Sequence, residues 1–186
     1  TAEELVHRIL RYRNYFGERG GVTVSGGEPL CQTEFVTDLF RRLRELGIST
    51  ALDTAGYRLD ESVRALLDVT DLVLLDYKYT NAEDYLRHTG CEMTRVDEFL
   101  AYLQSVNKPT WLRHVLIPGY NDDENSLARL VALRDAHSCV RRVELLPFRK
   151  LCLEKYREMG IPFALADTPE MSADQTEELR RKYNLN

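Results

Sequence analysis

Short apolar runs of strand length alternate with amphipathic stretches of helical period, and each strand is separated from the next by enough chain for a helix. Leu5, Ile9, Tyr12 and Phe16 recur at helical spacing and predict a helix over residues 2–16, with Val22–Ser25 following as a strand. Phe35, Val36, Leu39, Leu43 and Leu46 mark a second helix stopped by Gly47; Ile48–Asp53 is the next strand and Asp60–Asp68 a short helix. The unbroken apolar run Leu72–Leu75 reads as a strand covered on both faces. Helices over Asn81–His88 and Val96–Val106 precede a strand at Thr110–Ile117. Leu127, Leu130, Val131 and Arg134 place a further helix, Val140–Leu146 a last strand, and Ser172-Ala-Asp-Gln175 caps a C-terminal helix. Crossovers of this length join parallel strands, so the fold class is α/β with a parallel sheet. Five strands are too few for a closed eight-stranded barrel, and an open or partial (β/α) barrel in a single domain over residues 1–186 is expected.

Composition narrows the functional classes. The chain has 186 residues, 44% of them hydrophobic and 30% charged, and its net charge of −5 comes from interspersed acids and bases. That pattern argues against a general nucleic-acid binder. No apolar run is long enough for a membrane span and no signal peptide is seen, so a reducing cytoplasmic location is expected. Cys31, Cys91, Cys139 and Cys152 share no close spacing; they suggest neither a zinc knuckle nor a compact disulfide framework, and read as structural thiols.

In parallel α/β sheets, ligands bind beyond the carboxyl ends of the strands. Polar residues collect there in this chain: Ser25-Gly26-Gly27-Glu28, Asp53-Thr54, Asp76 and Lys78, Pro118-Gly119 after the strand carrying Arg113, and Pro147-Phe148-Arg149-Lys150. The glycine pair reads either as a plain tight turn or as backbone that a small zwitterion approaches; no Gly-Lys-Ser/Thr follows, so it is not a phosphate-binding loop. Asp76 and Lys78 are two apart on extended chain and share a face, as a mutual ion pair or as a site for an amino-acid-like ligand or a cation. Asp53 and Thr54 add an acid and a hydroxyl, suited to a hard cation or to helix capping. Arg113, in register with Val115 and Ile117, points into the barrel and needs a ligand or an acid partner. His114 faces the other way and reads as structural, as does Trp111 as core.

The arrangement Val22-Thr-Val-Ser-Gly-Gly-Glu-Pro29, Leu52-Asp-Thr54, Leu74-Leu-Asp-Tyr-Lys78, Leu112-Arg-His-Val-Leu-Ile-Pro-Gly119 and Glu144-Leu-Leu-Pro147 resembles the radical SAM superfamily, and more narrowly its activating enzymes of glycyl radical enzymes. The resemblance runs over nearly the whole chain and implies a partial barrel. It also implies a [4Fe-4S] cluster that reductively cleaves S-adenosylmethionine, and a resulting 5′-deoxyadenosyl radical that takes a hydrogen from a glycine of the partner enzyme. The implied partners are a glycyl radical enzyme, foremost pyruvate formate-lyase, and an electron donor such as flavodoxin or ferredoxin. Carried over, Ser25, Gly26, Gly27 and Glu28 would hold the cofactor's amino group. Asp76, Tyr77 and Lys78 would line the same pocket with Asp53 nearby, and Arg113 would project near the cofactor or the partner's glycine loop. Asp53, Thr54, Asp76 and the Leu74 main chain would hold a monovalent cation.

Three departures from the family pattern stand out. Arg149 occupies the place of a histidine that contacts the cofactor, and still offers hydrogen bonds to it. Cys152 stands where glycine is common. The Cys-x-x-x-Cys-x-x-Cys triplet that ligates the cluster is not in this sequence, and the four cysteines present cannot replace it at their spacings. With a capping box at Thr1-Ala-Glu-Glu4, the expectation is a domain truncated at its N-terminus, lacking the first strand and cluster loop and inactive alone. Two rival readings are a (β/α) lyase or aldolase with Lys78 as Schiff-base amine, and a cluster-less scaffold that only binds a glycyl radical partner.

Overall fold

The computed structural model describes residues 1–18 and 20–185. Its strands β1 (Gly21–Val24), β2 (Ser49–Thr54), β3 (Leu72–Asp76), β4 (Thr110–Leu116) and β5 (Val140–Pro147) form one sheet in the order β1-β2-β3-β4-β5. Every adjacent pair is parallel and the sheet is not closed, as the alternation requires. The helices are α1 (Ala2–Leu10), α2 (Arg13–Phe16), α3 (Thr33–Glu45), α4 (Glu61–Asp68), α5 (Ala82–Thr89), α6 (Met93–Ser105), α7 (Glu124–Ala136), α8 (Leu153–Glu158) and α9 (Ala173–Lys182). Among the described residues no helix is long and apolar enough to cross a membrane.

Caps written in the sequence set several helix boundaries. Thr1 and Glu4 form a reciprocal capping box on α1, as Ser172 and Gln175 do on α9. Asp60, Asn81 and Asp123 accept the first N–H groups of α4, α5 and α7. The expected helix over 2–16 is broken: the N–H of Tyr12 bonds to the carbonyl of Ile9, a tighter turn, and Tyr12 and Tyr15 are exposed. Without a buried stripe beyond Leu10, nothing holds a longer helix straight.

Helices cover one face of the sheet. Leu52, Val73, Leu75, Leu112, Leu116 and Val143 are buried there, in one core with Phe40, Leu43, Leu66, Phe99, Leu103, Leu127 and Leu130 from the helices. Each such side chain contributes about 1.5–3 kcal/mol by leaving water. The alternate residues of every strand line the concave face, which stays open. Leu72 and Leu74 are therefore half-buried, not covered on both sides as their unbroken run suggested, and Trp111 is likewise half-buried instead of core. This uncovered face is where the polar residues gather.

Candidate functional site

β1 ends at Val24, and Ser25, Gly26 and Gly27 lie exposed beyond it. Gly26 and Gly27 have φ of +82° and +54°, and a Cβ built on either meets no atom within 4 Å. Conformation, not crowding, requires glycine here, and it leaves the turn's backbone open to an approaching group. Glu28 fixes the turn from behind. Its carboxylate accepts the N–H of Leu30 (3.1 Å), the hydroxyl of Thr54 (2.6 Å) and the N–H of Ala55 (2.9 Å), which ties the end of β1 to the end of β2.

Beside the turn, a network of charges crosses the concave face. Asp76, Arg113 and Glu144 are register partners on β3, β4 and β5. The Arg113 guanidinium lies 2.6 Å from Asp53, 4.0 Å from Asp76 and 4.0 Å from Glu144. Lys78 pairs with Asp76 at 3.0 Å, while Arg142 pairs with Glu144 at 3.4 Å and stacks 4.9 Å over Trp111. Three acids thus meet three bases. Exposure of the Asp53, Asp76, Arg113 and Glu144 side chains runs from 21% to 28%, so the inner four are partly desolvated yet reachable. A cavity of about 360 Å³ opens against Asp76, Lys78 and Arg113, with Tyr79, Phe148, Tyr156 and Leu165 as its apolar walls. A second hollow, of about 400 Å³, lies toward the strands' amino ends by Gly21, Ser49 and Trp111, and none of these acids or bases lines it.

Ser25, Gly26 and Gly27 follow β1 beside the β2 end that carries Asp53, and ion pairs join Asp53 through Arg113 to Asp76 and Lys78 at the mouth, with Glu28 as the brace of the turn. The structure does not bring Tyr77, Thr54 or Arg149 there: Tyr77 and Thr54 alternate with residues that do face the mouth, and Arg149, beyond the end of β5, is drawn to the C-terminal segment. Tyr77, 1% exposed, donates its hydroxyl to Asp97 at 2.6 Å among the helices, and burial followed by that bond raises its pKa far above the ordinary value. Thr54 is buried on the same outer side, donating to Glu28 and accepting the N–H of Gly56 at 3.1 Å. The expected cation set of Asp53, Thr54, Asp76 and the Leu74 main chain is thus not assembled: Arg113 stands between the two acids, and Leu74 lies within the ladder opposite Asp53 and Trp111. Arg149 follows buried Phe148 and turns to the C-terminal segment, donating to the Met171 carbonyl at 2.7 Å with Glu170 at 3.5 Å. Glu144 and Arg142 are site residues that the reading of strand ends missed; their spacing of two with Leu146 along β5 carries the signal.

Among the described residues, no three His, Cys, Asp or Glu side chains are placed to hold a metal ion. The four cysteines are free, with Cys31 exposed and Cys139 buried. These residues do not fit an iron–sulfur cluster. The turn offers open backbone, and the network beside it carries separate cationic and anionic side chains.

Residues 1–131 match the sequence pattern of the Radical SAM superfamily. The chain belongs to that family. A pyruvate formate-lyase-activating enzyme from Staphylococcus aureus is 40% identical over 174 residues, which are 90% of this chain and 69% of that protein. Within the superfamily, this chain groups with such activating enzymes. A crystal structure of a domain of pyruvate-formate lyase-activating enzyme from Bacteroides vulgatus superposes with a TM-score of 0.71 at 22% identity, over 89% of this chain and 96% of that one. SuiB of Streptococcus suis, solved bound to S-adenosylmethionine, gives 0.62 at 20% identity, over 77% of this chain and 33% of its own. At those identities the two structures speak to the fold, an open radical SAM partial barrel.

Behind the mouth, His114 is fully buried and its Nδ1 lies 2.6 Å from the Tyr77 carbonyl, so Nδ1 carries the proton. Among the described residues Nε2 has no hydrogen-bond partner. Burial lowers the pKa of His114 below the ordinary 6.5, opposed more weakly by the backbones of Tyr77 and Asn121. The unfolded chain therefore binds the extra proton first. The stability this contributes is complete above pH 6.5 and is lost as pH falls through the folded value. Urea midpoints should fall between pH 7 and about pH 5.5. The His114→Asn variant, which keeps a donor near Nδ1 and does not titrate, should show a shallower fall; an equal fall would exclude His114 as the cause.

Proposed function

We infer that this chain provides the S-adenosylmethionine-binding mouth of an activase that installs a glycyl radical on pyruvate formate-lyase. The observation that carries the reading is the juxtaposition of the open Gly26–Gly27 turn with the Asp53, Asp76, Lys78 and Arg113 network, in a chain related at 40% identity to pyruvate formate-lyase-activating enzymes. The turn's main chain, with Ser25, would receive the cofactor's amino end, and Lys78 and Arg113 would meet its carboxylate. Asp53 and Asp76 would keep both cations oriented before the ligand arrives. Bound S-adenosylmethionine supplies the hydrogen-abstracting group in this family; the chain's own part is to bind it, orient it and present it at the cavity bordered by Phe148, Tyr156 and Leu165. Cluster thiolates would have to come from outside the described residues, so the chain on its own should bind the cofactor weakly and generate no radical.

The aldolase reading fares less well. Lys78 is paired with Asp76 and 44% exposed, not held in the dry apolar surroundings that free an amine for attack.

The test uses the full-length gene product, reconstituted anaerobically with iron and sulfide and given S-adenosylmethionine, reduced flavodoxin or ferredoxin, and pyruvate formate-lyase. A glycyl radical in the EPR spectrum is expected. A radical on another glycyl radical enzyme instead would overturn the partner, and binding of pyruvate formate-lyase with no radical on any would leave the scaffold reading in its place.

A further inference from the structure

The register between β3 and β4 ends at Asp76 opposite Arg113, with one more ladder bond from the Tyr77 N–H to the Arg113 carbonyl at 2.9 Å. Lys78 nevertheless stays on the concave face beyond that point, within 3.0 Å of Asp76. Two buried side chains take over from the ladder. His114 donates from Nδ1 to the Tyr77 carbonyl at 2.6 Å. Asn121, in the loop after β4 and 1% exposed, donates to the carbonyls of Lys78 (3.1 Å) and Val115 (2.9 Å) and accepts the N–H of Ile117 at 2.7 Å.

We propose that His114 and Asn121 are positioning residues: a buried clamp that fixes the backbone of Tyr77 and Lys78 so that the Lys78 ammonium stays beside Asp76 at the mouth. The physical reason is register. Side chains alternate along extended chain, so Lys78 faces Asp76 only while Tyr77 is held to the core side; a slip of this segment would let the Lys78 ammonium leave Asp76 for solvent. Sheet bonds prevent that slip as far as Tyr77. Past it, a buried carbonyl without a donor costs about 1–3 kcal/mol, so the clamp's donors favour the one register that uses them. The link to catalysis rests on the function proposed above, through Lys78; the clamp itself does not.

The test reads Lys78 directly. Native chain is reductively methylated and the rate at each lysine is followed by mass spectrometry, with exposed Lys155 as internal reference. The ratio of Lys78 to Lys155 labelling should rise about threefold to tenfold in His114→Leu and in Asn121→Ser, the weight of one net hydrogen bond. His114→Asn, which restores a donor near Nδ1, should return to within about twofold of the parent. Loss of packing alone would lower the melting temperature without moving this ratio. An unchanged ratio in folded variants overturns the proposal. If His114→Leu does not fold, Asn121→Ser decides; if neither gives a cooperative urea transition, the pair supports the sheet at large and the positioning role is overturned. Calorimetry of S-adenosylmethionine on the full-length protein judges the other reading separately. Affinity should drop in the clamp variants in step with the labelling ratio, whereas no affinity in the parent would sink the function and leave the labelling result standing.

Discussion

Replacing Glu28 with alanine should destabilise the chain by about 2–4 kcal/mol, because one carboxylate satisfies three donors and hydrogen bonds to a charged acceptor weigh about 1.5–3 kcal/mol each without adding in full. Two of those donors, the Thr54 hydroxyl and the Ala55 N–H, belong to the end of β2, so the loss separates two strand ends as well as loosening a turn. The measurement is the urea midpoint at constant slope. Glu28→Gln keeps the shape and one strong acceptor and should lose about half as much. A cost below about 0.5 kcal/mol for alanine, the level of an ordinary surface change, would show that the brace does not hold the turn.

The second large effect concerns the ion pair at the centre of the mouth. Arg113→Leu leaves Asp53 without its 2.6 Å partner, and Asp53→Ala leaves Arg113 with carboxylates only at 4.0 Å. Breaking a fully buried pair costs about 3–5 kcal/mol; with about a quarter of each side chain exposed, about 1–3 kcal/mol is expected here. The double variant should cost less than the sum of the singles by at least about 1 kcal/mol. Additive costs would mean that the contact contributes nothing of its own. Unlike the brace, this pair faces the cavity, so in the full-length protein both single variants should also weaken S-adenosylmethionine binding.

Much of this is legible in the sequence. Alternation of apolar runs gave the parallel sheet, and glycine, acid and lysine at successive strand ends marked the mouth. Parity along a strand sorts the remaining polar residues. Asp76 and Lys78 share a face, which places Tyr77 on the other; the same step excludes Thr54 beside Asp53, and assigns Arg142 and Glu144 to the face of Leu146. Motif resemblance groups neighbours along the chain, whereas a strand sorts them to opposite sides. Other features had no local signal. The partner of Arg113 is Asp53, sixty residues away, and the attachment of Arg149 to Met171 depends on a C-terminal segment whose path no periodicity encodes. Helix α8, six residues long, is too short to announce itself by period.

The balance of three acids and three bases on the concave face has an effect at a distance. Opposite charges a few ångströms apart cancel beyond about one Debye length, roughly 8 Å at physiological ionic strength, so the mouth casts little net field into solution. It cannot gather ions from afar as a one-sign cleft does. Selection takes place at contact, where each half of a dipolar ligand meets its opposite. A ligand of one sign gains on one side of the network what it loses on the other, and added salt should change the approach of a zwitterion far less than that of a phosphate or a polyamine.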